Sequence, residues 1–177
     1  IPRPVYALIL VFPVSEAYEK YRKEEDAKQP ADYYTSIAGT PKEDALWFKQ
    51  TIRNACGTYA IIHALTNGVS VENQQIVADS FIDQLAHKAE HETVDERSKD
   101  LESSETLEKL HSEVASHGST EAPDANDQVD LHYVCFTRSR KTGNFVELDG
   151  RRNGPIDLGS FDSKESDLLS EKALDRV

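Results

Sequence analysis

The residue of this chain best suited to nucleophilic chemistry is a cysteine at the start of an apolar run of helical length. Residues 50–58 (QTIRNACGT) lead directly into residues 59–65 (YAIIHAL), which are almost all apolar. This pattern predicts a buried central helix that carries Cys56 in its first turn and stops at the Asn67-Gly68 pair. The free N–H groups and the dipole at a helix start favour a thiolate, the nucleophilic form of cysteine.

Gln50 precedes this cysteine closely enough to share its site. Its side-chain amide, together with the backbone N–H of Cys56, could stabilise the oxyanion of a tetrahedral intermediate. A single thiol is nevertheless more often a buried structural cysteine, and Cys56 considered alone leaves that alternative open.

A predicted β-hairpin follows in the last third of the chain. Residues 131–136 (LHYVCF) and 144–149 (NFVELD) are strand-like, and the turn-rich residues 137–143 join them. We take Phe136 to lie opposite Phe145, which sets the register of the whole hairpin.

That register puts His132 opposite Asp149, and directly opposed residues have Cβ atoms about 4.5–5.5 Å apart on one face. Asp149 would then orient His132, which would take the proton of Cys56 and later protonate the leaving group. An ordinary cross-strand pair in a different register remains the alternative.

The remaining histidines and the second cysteine are expected to be structural or solvated. His63 follows Cys56 by two helical turns, a rise of about 10.5 Å that is too long for a hydrogen bond, so it is predicted to be a core residue. Cys135 alternates out of phase with His132 and is predicted to fill the core. Three more histidines lie on polar helical surface and are expected to be solvated: His87, His91 and His111.

Other segments are predicted to position these residues. Residues 5–12 (VYALILVF) form a continuous apolar run, which predicts a central strand buried on both faces. Residues 15–42 are polar and charged, so we predict a helix or irregular excursion with little core content and assign it no chemistry. Trp47 is expected to anchor the approach to Gln50 by packing.

Four amphipathic segments are predicted to be scaffold helices: residues 72–90, residues 94–101, the stretch around Leu107, and residues 166–177. Segment 94–101 is mostly charged. In the other three segments, the residues expected to face inward are Ile76, Phe81, Ile82, Leu85, Ala89, Leu107, Leu110, Val114, Leu168, Leu169 and Leu174.

Length and cysteine content bound the class of protein. At 177 residues the chain is long enough for one domain with a real core. It has no apolar run near the roughly 20 residues that cross a bilayer, and no secretory signal pattern. Two cysteines without paired spacing argue against a disulfide framework or a zinc site. We therefore expect a soluble cytoplasmic protein, which could also be nuclear.

The charge of −12 is concentrated in one region. Residues 69–130 contain 16 acidic and 4 basic side chains, so this region carries the whole excess. Such a surface makes nucleic acid an unfavourable partner and suits a basic protein. A solvated helical face that keeps the chain soluble is the equally open alternative.

Three motifs together resemble the ubiquitin C-terminal hydrolases, the small single-domain cysteine deubiquitinases. The pattern QTIxNxCGT is met at residues 50–58, TEAP at 120–123 followed by DLH at 130–132, and ELDGR at 147–151. Weaker similarity extends along the whole chain.

The resemblance implies a papain-like fold of the α/β (α+β) class, with a central antiparallel sheet flanked by helices and a knotted backbone. It implies that residues 1–177 form a single catalytic domain without cofactor or metal. It also implies that Cys56 is the nucleophile, His132 the general base and acid, Asp149 the orienting carboxylate and Gln50 the oxyanion donor.

Residues 116–130 are small, polar and turn-forming, and the resemblance implies that they form a crossover loop above the site. As a hypothesis, this loop restricts leaving groups to small adducts or unfolded peptides on the C-terminal glycine of ubiquitin. The residues that we assign to this gate are Ser116, Gly118, Glu121, Pro123 and Asp127.

Two departures from the family pattern qualify these expectations. Family members carry a strand and helices before residue 5 and a last strand after residue 166, so the chain is expected to be truncated at both ends. Residues 137–143 also include extra residues relative to many family members.

The expected activity is that of a monomeric deubiquitinase that binds ubiquitin without nucleic acid or membrane. The alternatives are a non-enzymatic ubiquitin-binding module and a hydrolase for a related modifier.

Overall fold

The computed structural model describes residues 1–68, 76–117, 131–160 and 167–177, which form one antiparallel sheet flanked by helices. The four strands lie side by side in chain order: β1 (Ala7–Pro13), β2 (Leu131–Arg138), β3 (Phe145–Leu148) and β4 (Ile156–Asp157). The helices are α1 (Glu16–Asp26), α2 (Tyr33–Ile37), α3 (Cys56–Asn67), α4 (Phe81–Ala89), α5 (Val94–Glu102), α6 (Glu105–His117) and α7 (Glu171–Leu174). The predicted mixed class with an antiparallel sheet is confirmed.

Helix α3 is the predicted central helix, and it begins at Cys56 as expected. Ala60 packs against the sheet, whereas Tyr59 and Ile62 pack on another side against residues of α4 and α5, such as Leu85 and Leu101. The remaining side is open, because Ile61 is 52% exposed. The prediction of a buried helix therefore holds for the sides that face the sheet and the helices α4 and α5.

Gly68 ends α3 for a reason other than a left-handed backbone. Its φ is −74°, which any residue can adopt. A Cβ at this position would lie 2.6 Å from Oγ1 of Thr137 and 2.7 Å from the carbonyl oxygen of Tyr6. The helix end therefore approaches the strands so closely that only glycine fits.

Strand β1 differs from the predicted central strand. Among the described residues it pairs with β2 alone, and Ile9, Leu10 and Val11 are exposed, the last at 44%. The prediction of burial on both faces is thus wrong for the described part of the chain. An apolar run indicates that a strand can be buried, but its composition does not specify which neighbours cover it.

The hairpin forms as predicted, but its register is shifted by two residues. Phe136 lies opposite Glu147, and Arg138 lies opposite Phe145. Because side chains alternate with a period of two, this shift leaves every residue on its predicted face. Phe136 and Phe145 still stack with ring centroids 6.0 Å apart, now as diagonal neighbours.

The two faces of the sheet are covered by different parts of the chain. Trp47 and Ala60 pack with Cys135 and Leu148 on the α3 side. On the opposite face Phe136 packs with Leu168 and other residues of the C-terminal segment. His132 lies on this second face by strand alternation, opposite Phe12 of β1. Asp149 follows Leu148, the last residue of β3, so it is not paired directly opposite His132 as predicted.

Several helix boundaries differ from the predictions. Helix α4 begins only at Phe81, because the Ser80 hydroxyl accepts from the N–H of Asp83 and caps the helix there. Residues 76–80, which were included in the predicted helix, are not helical. Helix α6 continues to His117, so Ser116 belongs to a helix rather than to the loop predicted from residue 116 onward.

The C-terminal helix is shorter than predicted. Within residues 167–177 only α7 is helical; Leu168 precedes it and is buried, whereas Leu174 is 48% exposed instead of facing inward. Leu110 on α6 is exposed as well, although Leu107 packs against the core beside α3. None of the helices in the described part of the chain is long and apolar enough to cross a membrane.

Candidate active site

Cys56 is the first residue of α3, and the start of this helix is left open to a ligand. The N-cap residue is Ala55, which provides no side-chain hydrogen bond to the helix N–H groups. Asn54 has a positive φ of 56°, so the chain reverses sharply just before the helix. The first N–H groups of α3 are therefore available to stabilise an anion.

The surroundings of the Cys56 sulfur favour the thiolate. Burial raises the pKa of this half-buried thiol, but a hydrogen bond to His132 and the charge of that imidazolium outweigh burial. Hydrogen bonds from the backbone of Tyr133 and Gly57 act in the same direction. The pKa of Cys56 therefore lies below the ordinary value of a thiol, which favours the nucleophilic thiolate form.

His132 joins the thiol to a buried carboxylate. Its Nε2 lies 2.9 Å from Oδ1 of Asp149 and donates to it, which leaves Nδ1 for Cys56. Burial lowers the pKa of His132, but the hydrogen bonds to Asp149 and Cys56 and the carboxylate charge prevail and raise it to about 9. The imidazole is thus protonated at neutral pH, beside a thiol whose pKa is lowered.

Asp149 is fully buried and held by three donors. Oδ1 accepts from His132 and, at 2.8 Å, from the N–H of Arg151, whereas Oδ2 accepts from the Tyr18 hydroxyl at 2.9 Å. Burial raises the pKa of this carboxyl, but the hydrogen bond and charge of His132 and the other donors hold it below its usual range. The carboxylate stays ionised and fixed in orientation.

Gln50 is tied to the turn that follows Asp149. Its N–H donates to the carbonyl of Gly150 at 2.8 Å, and a Cβ on Gly150 would lie 2.8 Å from the Cβ of Gln50. The side-chain Nε2 donates to the carbonyl of Ile52 at 3.1 Å, and Oε1 is buried without a hydrogen-bond partner. This nitrogen carries two N–H groups, so it can donate to an oxyanion with one while the other stays on Ile52.

This arrangement agrees with the comparisons with known proteins. A family model described as "Ubiquitin carboxyl-terminal hydrolase, family 1" matches residues 1–177, the whole chain. The chain belongs to this family.

Curated ubiquitin carboxyl-terminal hydrolases resemble the chain over most of its length. It is 32% identical to YUH1 of Saccharomyces cerevisiae over 176 residues, covering 97% of this chain and 67% of YUH1. It is 36% identical to a Drosophila melanogaster ubiquitin carboxyl-terminal hydrolase, covering 90% of this chain and 65% of that protein. With isozyme L1 of Rattus norvegicus the identity is 30%, covering 98% of this chain and 70% of that isozyme. The chain thus spans about two thirds of the length of these relatives.

Solved structures of the family share the fold. The catalytic domain of Trichinella spiralis UCH37, bound to ubiquitin vinyl methyl ester, superposes with a TM-score of 0.61 at 20% identity. The match covers 91% of this chain and 63% of that domain. The likeness shows that the chain has the fold of ubiquitin carboxyl-terminal hydrolases.

Cys135 and the other described histidines take no part in the hydrogen bonds of this site, although the charge of Asp149 acts on His63. His63 is fully buried, and its Nε2 accepts from the N–H of Phe48 at 3.0 Å. Burial lowers the pKa of His63 to about 4, so it is neutral at the pH where His132 is charged. Cys135 is fully buried, which raises the pKa of its thiol. The exposed histidines are His87, His91 and His111.

Four of the five residues assigned to the gate, Gly118, Glu121, Pro123 and Asp127, lie outside the described residues. Ser116 is helical, as the penultimate residue of α6. The assignment of these residues to a gate stays a prediction.

Tyr18 is a residue of the site that no sequence pattern indicates, and it lies in the segment 15–42, for which we predict no chemistry. The pattern of residues 15–42 is that of a solvated helix, and α1 indeed has no buried residue. Tyr18 nevertheless contacts Asp149, which is 131 positions away in the chain. A local pattern holds no information about such a distant partner.

Trp47 and Arg151 also support the site. The indole Nε1 of Trp47 donates to the carbonyl of Asp149 at 2.9 Å, so this buried residue anchors the orienting carboxylate as well as the approach to Gln50. Arg151 follows Asp149 closely and contributes its backbone N–H, an interaction that depends on the turn rather than on the side chain.

Proposed function

We propose that this chain is the catalytic part of a thiol hydrolase that cleaves after the C-terminal glycine of ubiquitin. The observation that carries the proposal is the relay from Cys56 through His132 to Asp149, in a chain of the ubiquitin carboxyl-terminal hydrolase family. The relatives' names and the ubiquitin derivative bound to UCH37 support ubiquitin as the substrate.

The first half of the reaction forms an acyl-enzyme. The Cys56 thiolate attacks the carbonyl carbon of the C-terminal glycine, and a carbon–sulfur bond forms. The bond from that carbon to the leaving nitrogen or oxygen then breaks, and the imidazolium of His132 gives its proton to the leaving group. Asp149 holds the ring throughout, because its carboxylate accepts the hydrogen bond from the Nε2–H group and stays ionised.

The second half restores the enzyme. Water attacks the thioester while neutral His132 takes a proton from it, and the carbon–sulfur bond breaks. The products are ubiquitin with a free C-terminal carboxyl group and the thiolate–imidazolium pair. Both steps pass through an oxyanion, which the Cys56 N–H and the second amide N–H of Gln50 stabilise.

The acidic helices fit a basic partner. Exposed carboxylates line α5 and α6, including Asp95, Glu102, Glu105 and Glu108. They would speed the encounter with a basic surface of ubiquitin, and salt would weaken this effect. A Michaelis constant that stays the same from low to high ionic strength would argue against this part of the proposal.

The decisive experiment is the intact mass of the chain after incubation with ubiquitin that carries a thiol-reactive group at its C-terminus. We expect one covalent adduct, which Cys56→Ala loses. The control with the C-terminal glycine of ubiquitin deleted should give no adduct. Binding of ubiquitin without an adduct would favour the non-catalytic module, and an adduct formed only with a related modifier would favour the other hydrolase.

The same proposal includes the setting in which the enzyme works. Two free cysteines suit a reducing compartment such as the cytoplasm or nucleus. We place the enzyme there as a monomer that acts on ubiquitin rather than on nucleic acid or membrane. Sedimentation of the pure chain alone and with ubiquitin tests the oligomeric state directly.

A further inference from the structure

Helix α1 is attached to the protein in an unusual way, because none of its residues is buried. Polar contacts with the turn after β3 hold it instead. Glu19 accepts from the Arg151 guanidinium at 2.9 Å, and Arg22 donates to the Arg151 carbonyl at 3.1 Å. Arg152 in turn donates to the carboxylate of Asp26 at 3.0 Å.

These contacts all lie within three residues of Asp149 in sequence, on the turn whose geometry orients that carboxylate. Arg151 is the residue whose N–H donates to Oδ1 of Asp149. Helix α1 itself provides the donor to Oδ2, which is the Tyr18 hydroxyl. Two of the three donors to Asp149 are thus connected to α1.

The ring of Tyr18 also contacts the other member of the pair. Its centroid lies 6.2 Å from that of the His132 imidazole. Phe12 packs edge-on against both rings, with centroids 4.6 Å from Tyr18 and 5.9 Å from His132. Tyr18 therefore touches the carboxylate through its hydroxyl and confines the imidazole through its ring.

We infer that Tyr18 is a positioning residue, which fixes Oδ2 of Asp149 so that Oδ1 points at Nε2 of His132. This inference rests on the proposed function for its catalytic consequence, but not for its geometry. The carboxylate can rotate about its bond to Cβ. A donor on each oxygen stops that rotation, whereas two donors on Oδ1 alone would leave Oδ2 buried and unpaired.

The phenol is suited to this task because it stays protonated. Burial raises the pKa of Tyr18, and the neighbouring Asp149 carboxylate raises it further. The hydroxyl thus remains a donor over the pH range in which His132 is protonated, and the ionised carboxylate of Asp149 remains its acceptor. Loss of this donor would let Asp149 turn toward other partners and lengthen its bond to His132.

The test compares Tyr18→Phe with Tyr21→Phe. Both variants remove one hydroxyl from α1, and both keep the aromatic ring. Tyr21 is 50% exposed and its hydroxyl is not a donor to Asp149, so it is a matched control. Circular dichroism and thermal melting establish that each variant is folded before the readouts are compared.

The first readout is the pKa of His132, measured by NMR from the pH dependence of its ring-proton resonance. The variant His132→Gln, which lacks that resonance, assigns it. If Tyr18 positions the carboxylate, Tyr18→Phe lowers this pKa below its value of about 9, because the carboxylate moves away. If Tyr18 only polarises a carboxylate that stays in place, its loss makes Asp149 more basic and raises the pKa of His132. A raised or unchanged pKa would overturn the inference.

The second readout is turnover of a ubiquitin C-terminal amide. We expect kcat of Tyr18→Phe to fall about tenfold with KM unchanged, because the defect affects proton transfer and not binding. Tyr21→Phe should match the parent chain in both readouts, and an equal loss in that control would overturn the inference. The NMR titration needs no ubiquitin, so it decides the role of Tyr18 even if the proposed substrate is wrong.

Discussion

Two clusters in this protein are built from the same kinds of side chain, but we propose a reaction for only one of them. In the first, the Glu43 carboxylate accepts from the Tyr34 hydroxyl and from Arg97. In the second, Asp149 accepts from the Tyr18 hydroxyl and from His132. Each cluster thus joins a tyrosine, a carboxylate and a cation in the protein interior.

The cations account for the difference. Arg97 is fully buried, and its three guanidinium nitrogens donate to Glu43, to Tyr34 and to the carbonyls of Ala89 and Trp47. Its proton cannot leave at any ordinary pH, so the cluster serves only to join α5 to the segment before the catalytic helix.

His132 donates from Nε2 to the buried Asp149 carboxylate and also forms a hydrogen bond with the half-buried thiol of Cys56. Because an imidazole near its pKa can both give and take a proton, the same pairing becomes a relay. Burying a charge therefore does not make a site. A site needs a proton that can move and a nucleophile that substrate can reach.

The largest effect should come from removing the transferable proton. His132→Gln should lower kcat/KM for a ubiquitin amide by about 10⁴-fold or more, because both halves of the reaction lose their acid and base. The pH at which iodoacetamide alkylates Cys56 should rise as well, since the thiolate loses its cation. An unchanged alkylation profile would show that the thiol does not depend on His132.

Breaking the cluster around Arg97 should lower the stability of the fold and leave the chemistry of Cys56 unchanged. Arg97→Met leaves Glu43 buried without its cation, and we expect the free energy of unfolding to drop by about 3–5 kcal/mol in urea denaturation. The alkylation profile of Cys56 in the folded fraction should not change. Conversely, a shift in that profile would mean that the two clusters are electrostatically connected.

Asp149→Asn keeps the size of the side chain and removes its charge. We expect kcat to fall by about 10²-fold, because the imidazolium is less stable and less well oriented. Asp149 raises the pKa of His132, so the alkaline limb of the pH–rate profile, near pH 9 in the parent chain, should move to lower pH. A limb that stays near pH 9 would assign it to another group.

The raised pKa of His132 also makes the free energy of unfolding depend on pH. The pKa of His132 is about 9 in the folded chain against an ordinary 6.5, so the fold gains stability from the imidazolium below about pH 6.5. This gain is lost as the pH rises from about 6.5 to 9. Asp149→Asn should reduce that slope in a plot of unfolding free energy against pH, because Asp149 supplies two of the three interactions that raise the pKa.

The smallest effect is expected from Tyr34→Phe, the counterpart of the Tyr18 variant. Loss of this hydroxyl leaves the Trp47 N–H without its acceptor, which should cost about 1–2 kcal/mol of unfolding free energy. The pKa of His132 should stay near 9. If Tyr34→Phe moved that pKa as much as Tyr18→Phe, the contrast between the two clusters would be lost.

Some of the site could be predicted from short-range patterns. Cys56 follows a polar segment and begins an apolar run. These local features predict a helix that starts near Cys56, and Cys56 is the first residue of α3. His132 and Asp149 were placed on one face of a hairpin because strand alternation has a period of two. That face assignment survived an error of two residues in the register.

Other features could not be predicted because the signal is not local. The apolar run of β1 indicated a strand without showing that Val11 would be exposed. The segment before Trp47 was polar, and nothing in its pattern revealed that Tyr18 reaches Asp149 across 131 positions. Contacts between such distant residues depend on how the elements pack, which no periodicity records.

Local patterns specify the chemical groups and the elements near them: a thiol at a helix start, an imidazole and a carboxylate on a hairpin, and an amide before the helix. Packing of the elements brings Nε2 of His132 to 2.9 Å from Oδ1 of Asp149 and a tyrosine of α1 to the other oxygen. The two kinds of information differ in their range along the chain. Propensity and alternation act over a few residues, whereas the direction of a hydrogen bond is set by the packing of α1, α3 and the sheet against one another.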